Sequence, residues 1–483
     1  MTDFSKFSIK EYIKGLESKK FTVTQAVEFF IARCKKDKKN AIIEVFDSSK
    51  NLAKKIDEKI AKGTSLGRLA GVPVIIKDNI LYSDHISQAA SNILDGFVAP
   101  YSSTVVKKLI NEDAIIIARA NMDDSAMGTT GRSSCYGATL NAYSDEHVAG
   151  GSSSGSAVAL ACGYCLASLG SDTGGSVRLP ASFNGITGIK PTYGTVSRHG
   201  VIAYGSSLEQ VGVFANTPQD AQIVLSVIQG KDENDMTTTE YNKNKIENKP
   251  VDVRTVRIGR ITEIWSECRK SPHFETYQSV LKTLENNGAT IVDISIANIL
   301  NCLPAYYVIA SAEAATNLSR YDGVRYTPIK DGETIDELYK NTRSALFGTE
   351  VKRRIMLGNL MLTSGHDLSG LYKKATILRD EIKKDFANAF NNVDFILMPT
   401  SYTTAIRLDD DNTDLVEQYL QDLFTVPVNL ANVPSVSIPI SWQKSAISDI
   451  ELPLGLQIIG KMYDDDRILD YANTVLEILK GGE

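Results

Sequence analysis

Two serine- and glycine-rich runs, GGSSSGS at residues 150–156 and GSDTGGS at residues 170–176, flank one short apolar segment. Such loops bring bare backbone N–H groups close to a ligand or a developing charge, at an entropic cost that a core segment avoids. In the second run Ser176 follows two glycines, so a hydroxyl stands beside adjacent N–H groups. These are the parts that acyl transfer needs for attack and for the oxyanion. A glycine-rich structural turn is the plainer reading. A serine nucleophile also needs a base, and the five histidines (His85, His147, His199, His273, His366) offer neither an obvious partner nor metal-ligand spacing. Lys77 ends the run GVPVII at residues 71–76. If buried there, its pKa would fall toward the working pH and it could serve as the base. The alternative is a strand-end lysine that snorkels to solvent.

Other motifs are weaker. Residues 151–155 fit the G-x-S-x-G elbow with Ser153 as nucleophile, but the preceding DEHVA supplies no strand. The same run has the glycine spacing of a phosphate loop, with Ser156 where lysine is required. Cys162 and Cys165 have redox spacing, yet they lie in an apolar stretch that reads as helical, which predicts packed, inert thiols.

The elements that must position these residues alternate along the chain. Helical periodicity covers residues 8–36, with Thr22 and Gln25 spaced as a capping box, and a further helix is expected up to Lys62. Strands are expected at 71–76 and 114–117, with a helix at 105–111 between them. Residues 230–249 are polar and read as a surface crossover. Beyond it come strands at 256–259, 290–294, 395–398, 435–440 and 455–459, with helices at 274–286, 305–318, 350–360, 371–390 and 465–479. This mixture predicts an α/β fold in which one large sheet carries helices on both faces.

The 483 residues are 43% hydrophobic and 23% charged, the composition of a folded globular protein, and the net charge of −6 argues against a broad basic face for nucleic acid. The first residues, MTDFSKFSIKEYIKG, lack the apolar run of a secretory signal, and no stretch of about 18 apolar residues occurs. The expectation is a cytoplasmic protein whose six scattered cysteines are reduced.

Residues 150–194 resemble the defining segment of the amidase signature family, in the opening GGSSSGS and the close GSDTGGSVRLPA. The resemblance runs from about Leu69 to the C-terminus. Within the family, SRYDGVRY (319–326), EVKRRIMLG (350–358) and TVPVNLANVPSVSIP (425–439) are similar to the glutaminase subunits of tRNA-dependent amidotransferases.

The resemblance implies a large mixed, twisted sheet covered by helices on both faces. It implies residues 1–65 as an N-terminal helical segment packing on the core, and 66–483 as the amidase domain with a surface crossover near 230–252. For the site it implies Lys77 as base, Ser152 as a bridging serine after a cis Gly151–Ser152 peptide, and Ser176 as nucleophile. The N–H groups of Thr173, Gly174, Gly175 and Ser176 would form the oxyanion hole. Arg354 and Asp422 would hold the α-carboxylate and α-ammonium of glutamine, with Tyr306, or its neighbour Tyr307, lining the pocket.

By the same resemblance the chain carries no cofactor or metal. ATP and Mg are used by a partner B subunit that also handles charged tRNA, and a small C subunit completes a heterotrimer. Glu-tRNA(Gln) would be the amide acceptor, with Asp-tRNA(Asn) a second candidate, and neither membrane nor DNA is involved. The rival reading is a stand-alone amidase acting on a neutral amide. The chain departs from the text usual in these glutaminases at Leu179, at Asp124-Ser125 and at residues 129–134 (TTGRSS).

Overall fold

The computed structural model describes residues 2–240, 251–326, 328–363, 370–409, 421–445 and 449–481. Its strands are β1 (Ile42–Val45), β2 (Pro73–Lys77), β3 (Ile115–Ala120), β4 (Ala167–Asp172), β5 (Thr187–Lys190), β6 (Gln210–Ala215), β7 (Arg257–Ile261), β8 (Thr290–Ile294), β9 (Phe395–Pro399), β10 (Ser435–Lys444) and β11 (Glu451–Ile459). They form one sheet in the order β1-β3-β2-β4-β6-β5-β10-β11-β9-β7-β8. Pairing is parallel for β3-β2-β4 and β9-β7-β8 and antiparallel between those blocks, so the sheet is mixed as expected.

The antiparallel pair β5–β10 joins chain from both sides of the expected crossover into one sheet. Of that crossover, residues 241–250 lie outside the described residues.

The helices are α1 (Ile9–Glu17), α2 (Val23–Cys34), α3 (Ser49–Ala61), α4 (Thr104–Asn111), α5 (Ser154–Ala161), α6 (Arg178–Phe183), α7 (Pro218–Ile228), α8 (Thr262–Cys268), α9 (Phe274–Asn286), α10 (Cys302–Asn317), α11 (Ile335–Leu346), α12 (Thr349–Leu362), α13 (Leu371–Ala389), α14 (Val426–Leu430) and α15 (Asp465–Gly481).

Strand alternation divides them between two cores. Along β9, Phe395 and Leu397 enter one core with Tyr12, Phe30, Leu225, Tyr277 and Tyr471, from α1, α2, α7, α9 and α15. Ile396 and Met398 enter the other with Tyr306, Val351 and Phe386, from α10, α12 and α13. Both faces of the sheet are therefore covered. Among the described residues no helix is long and apolar enough to cross a membrane.

The Thr22–Gln25 box forms, with Thr22 Oγ1 accepting from Gln25 N and Gln25 Oε1 from Thr22 N. Two sequence readings need correction. The N-terminal segment is not wholly helical, because Ile42–Val45 pairs antiparallel with β3 as an edge strand. Four half-buried residues are too few to show an alternation. Nor do Cys162 and Cys165 lie within a helix: α5 ends at Ala161, the chain turns, and β4 begins at Ala167. Burial raises the pKa of both thiols, as it does for packed cysteines.

Candidate active site

β2 and β4 are parallel neighbours, so their C-terminal ends share one edge of the sheet, where open α/β sheets place their sites. There the Lys77 side chain reaches Ser171. Lys77 is fully buried rather than snorkelling. Its Nζ lies 2.8 Å from Ser152 Oγ and 2.9 Å from both Ser153 Oγ and Ser171 Oγ. Burial pushes its pKa down to about 7, against the opposing pull of the Glu209, Asp123 and Asp172 carboxylates.

The polarity of this cluster is partly fixed. Ser153 donates its proton to the Ser171 carbonyl at 3.1 Å, so toward Lys77 it can only accept. Asn79 Nδ2 donates to Ser171 Oγ at 3.0 Å. A neutral Lys77 thus gives an N–H to Ser153 and has its lone pair available to a hydroxyl proton from Ser152 or Ser171.

The two serine runs lock together through backbone. Ser153 N donates to the Ser176 carbonyl at 3.2 Å, and Asp123 N to the Ser152 carbonyl at 3.1 Å. The Gly151–Ser152 peptide is cis. Ser176 is 9% exposed, whereas Ser152 is fully buried.

Its loop is shaped by Asp172, which accepts from Gly175 N at 2.8 Å, Val177 N at 3.1 Å and both Nε and Nη2 of Arg178 at 3.1 Å. Burial alone would raise the Asp172 pKa, but the Arg178 guanidinium outweighs it and holds the carboxyl well below the usual range. Arg178 is itself fully buried and also donates to Thr425 O, Gln457 Oε1 and Asn429 Oδ1.

Of the four N–H groups expected in an oxyanion pocket, that of Gly175 is therefore engaged by Asp172. The glycines here answer to close approach: a Cβ on Gly174 would lie 2.6 Å from Tyr306 Oη, and one on Gly175, whose φ is +138°, 2.3 Å from Thr425 Oγ1.

A second cluster comes from α10, α12 and the turn at Gln421–Phe424. Arg354 is 5% exposed and donates from Nε to Glu350 Oε1 at 2.6 Å. Its guanidinium carbon lies 5.0 Å from the Tyr307 ring centroid. Tyr307 Oη donates to Asp422 Oδ2 at 2.6 Å. Burial pushes the Asp422 pKa up to about 6, although the Tyr307 hydrogen bond and Arg354 pull it down.

Tyr306 and Tyr307 thus both take part, the first against the Gly174 loop and the second between Arg354 and Asp422. Beside them opens a cavity of about 770 Å³, lined by Tyr307, Glu350 and Arg354 on one wall and by Asp124, Thr129 and Ser133 on the other. Behind that second wall lies the serine loop, where Gly151 N donates to Thr129 O at 2.8 Å. The departures from family text at Asp124 and across residues 129–134 fall on this wall, whereas Leu179 lies in a small core with Val148 and Phe183.

The structure brings Lys77, Ser152 and the Ser176 loop together at one end of the site, and Arg354, Asp422 and the two tyrosines together at the other. Sequence reasoning missed Ser171, Asn79 and Glu350. Ser171 and Asn79 each lie beside residues already singled out, and Glu350 stands four before Arg354 on a helix, the spacing of an ion pair.

A family model for amidases matches residues 25–469. The A subunit of glutamyl-tRNA(Gln) amidotransferase from Prochlorococcus marinus (strain NATL2A) is 45% identical over 424 residues, 87% of this chain and 86% of that protein. Its namesake from Lachnospira eligens is 42% identical over 475 residues, 97% of each chain. Among solved structures, the A subunit of glutamyl-tRNA(Gln) amidotransferase from Thermotoga maritima superposes with a TM-score of 0.77 at 32% identity, covering 99% of this chain and 95% of that one. The peptide amidase of Stenotrophomonas maltophilia does so with a TM-score of 0.81 at 25% identity, covering 99% and 98%. With the matched span enclosing the buried lysine and both serine loops, the chain belongs to the amidase family.

Proposed function

We propose that this chain is the glutamine-hydrolysing component of a tRNA-dependent amidotransferase. The observation that carries the reading is the pairing of a buried cation, Arg354, with a buried carboxyl, Asp422, through one tyrosine, Tyr307. Free glutamine presents an α-carboxylate and an α-ammonium close together, and a site for it needs one group of each sign. The relatives named as A subunits of glutamyl-tRNA(Gln) amidotransferase support the same reading.

In the reaction, neutral Lys77 takes a proton from Ser152, which takes one from Ser176 as the Ser176 oxygen attacks the side-chain amide carbon. The oxyanion is met by the N–H groups of Thr173, Gly174 and Ser176, while that of Gly175 keeps its bond to Asp172. Lys77 returns the proton through Ser152 to the amide nitrogen, the C–N bond breaks and ammonia leaves. Water then attacks the acyl-Ser176 ester, giving its proton to the same relay, which returns it to the Ser176 oxygen as the ester C–O bond breaks and glutamate departs.

The amidase domain spans residues 66–483, and residues 1–65 complete it with the edge strand β1 and the helices α1 to α3 packed on its core. The ammonia passes to a B subunit that uses ATP and Mg on Glu-tRNA(Gln), or on Asp-tRNA(Asn), and a C subunit completes a cytoplasmic heterotrimer.

The test is ammonia release from glutamine by the tagged chain purified with its bound partners, beside its Ser176→Ala form. Turnover that disappears in Ser176→Ala and rises with ATP and Glu-tRNA is the expected result. Hydrolysis of neutral amides but not glutamine, by the chain alone, would make it a free-standing amidase.

A further inference from the structure

The loop before β6 buries Tyr204, which is 1% exposed and belongs to none of the motifs above. Its hydroxyl accepts from Arg354 Nη1 at 2.5 Å, and its ring centroid lies 5.8 Å from the guanidinium carbon. The Tyr307 ring approaches the same carbon at 5.0 Å, and Glu350 holds Nε.

Arg354 is therefore fixed at two nitrogen atoms and flanked by two rings. A guanidinium so held meets a carboxylate in one orientation, which is what a bidentate contact demands. The backbone of Tyr204 is itself anchored, its carbonyl accepting from Asn317 Nδ2 at 3.0 Å.

Tyr204 and Tyr306 are buried in the same core. Tyr306 sets its Oη against Gly174 in the nucleophile loop.

We infer that Tyr204 is a positioning residue for substrate specificity: it aims Arg354 at the substrate carboxylate. The inference rests on the glutaminase reading. It adds to that reading a residue whose loss should lower preference for amides that carry a carboxylate, without removing the chemistry.

The experiment compares Tyr204→Phe with the unmodified protein, each as the full chain with its partners, on glutamine and on butyramide. Phenylalanine keeps the ring and removes only the hydroxyl. The kcat/KM for glutamine should fall about tenfold, the worth of one hydrogen bond to a charged group, with most of the fall in KM. The ratio of glutamine to butyramide turnover should fall by nearly as much. In an Arg354→Ala background, adding Tyr204→Phe should change kcat/KM for glutamine less than twofold, because the group it aims is gone.

A merely structural role would lower both substrates alike and would add to Arg354→Ala, and either result overturns the inference. An unchanged selectivity ratio in Tyr204→Phe, with the unmodified protein active on glutamine, sinks this inference alone. No glutamine hydrolysis by the unmodified protein overturns the glutaminase reading and this inference with it.

Discussion

Around Lys77 the hydrogen-bonding neighbours are three hydroxyls and a carbonyl, whereas Arg354 lies against a carboxylate, two aromatic rings and a phenol. Both cations are buried, and the difference in their company separates their tasks. Burial, with no carboxylate of the described residues within hydrogen-bond reach, lets Lys77 shed its proton near neutral pH. Arginine keeps its charge under any of these conditions, so its surroundings need only hold it still. One end of the site moves protons, and the other recognises charge.

The largest effect should come from removing the proton acceptor. Lys77→Ala should lower kcat/KM by about a thousandfold or more for glutamine and butyramide alike, since members of a catalytic relay act as a unit. Unequal losses would mean that Lys77 also binds substrate. Arg354→Ala should cost about 10–100-fold on glutamine, the worth of charge-assisted hydrogen bonds, and far less on butyramide. An equal loss on the two substrates would erase the distinction between the two ends.

The pH profile separates the ends without mutation. Lys77 is active when neutral, so kcat/KM should fall about tenfold per unit as pH drops below the pKa near 7 set by its burial. Asp422 must be ionised to hold an ammonium, and its pKa near 6 adds a second limb below that pH for glutamine but not for butyramide. The glutamine profile should therefore steepen to roughly a hundredfold per unit there. A single limb for both substrates would remove Asp422 from recognition.

The smallest effect is expected for Glu350→Gln, which keeps a hydrogen-bond acceptor for Arg354 Nε. It should raise KM for glutamine by about two- to fivefold, comparable to one modest hydrogen bond, and leave kcat near its original value.

The two ends also differ in how far the sequence revealed them. The proton-transfer end was partly legible from local residues, since Lys77 closes a β-branched run and Ser176 follows two glycines, whereas the role of Ser152, in the glycine-rich loop on the far side of one helix and one strand, came from the family resemblance. Even there, β4 was hidden, because ASLGSD surrounds a single leucine with small and polar residues and is buried on both faces. The recognition end was legible only through family resemblance. Arg354 within KRR looks like a solvated charge, and its burial arises only when α12 packs on α10. Tyr204 left no signal, since nothing local distinguishes a tyrosine that fills a core from one that aims a guanidinium. The choice between Tyr306 and Tyr307 needed the helix itself, which turns one ring toward Gly174 and the next toward Asp422.

The Arg178 network has a consequence for the order in which the protein is made. The nucleophile loop closes on Asp172, yet the arginine that holds Asp172 is held in turn by Asn429 and by Gln457 on β11, and Gln457 also donates to Pro399 O and Phe424 O. A chain emerging from the ribosome carries Ser176 long before it carries these partners. The hydrolytic loop is therefore finished only when the last strand of the sheet is in place, so a half-made chain holds the reactive serine in a loop that its own later sequence has yet to shape.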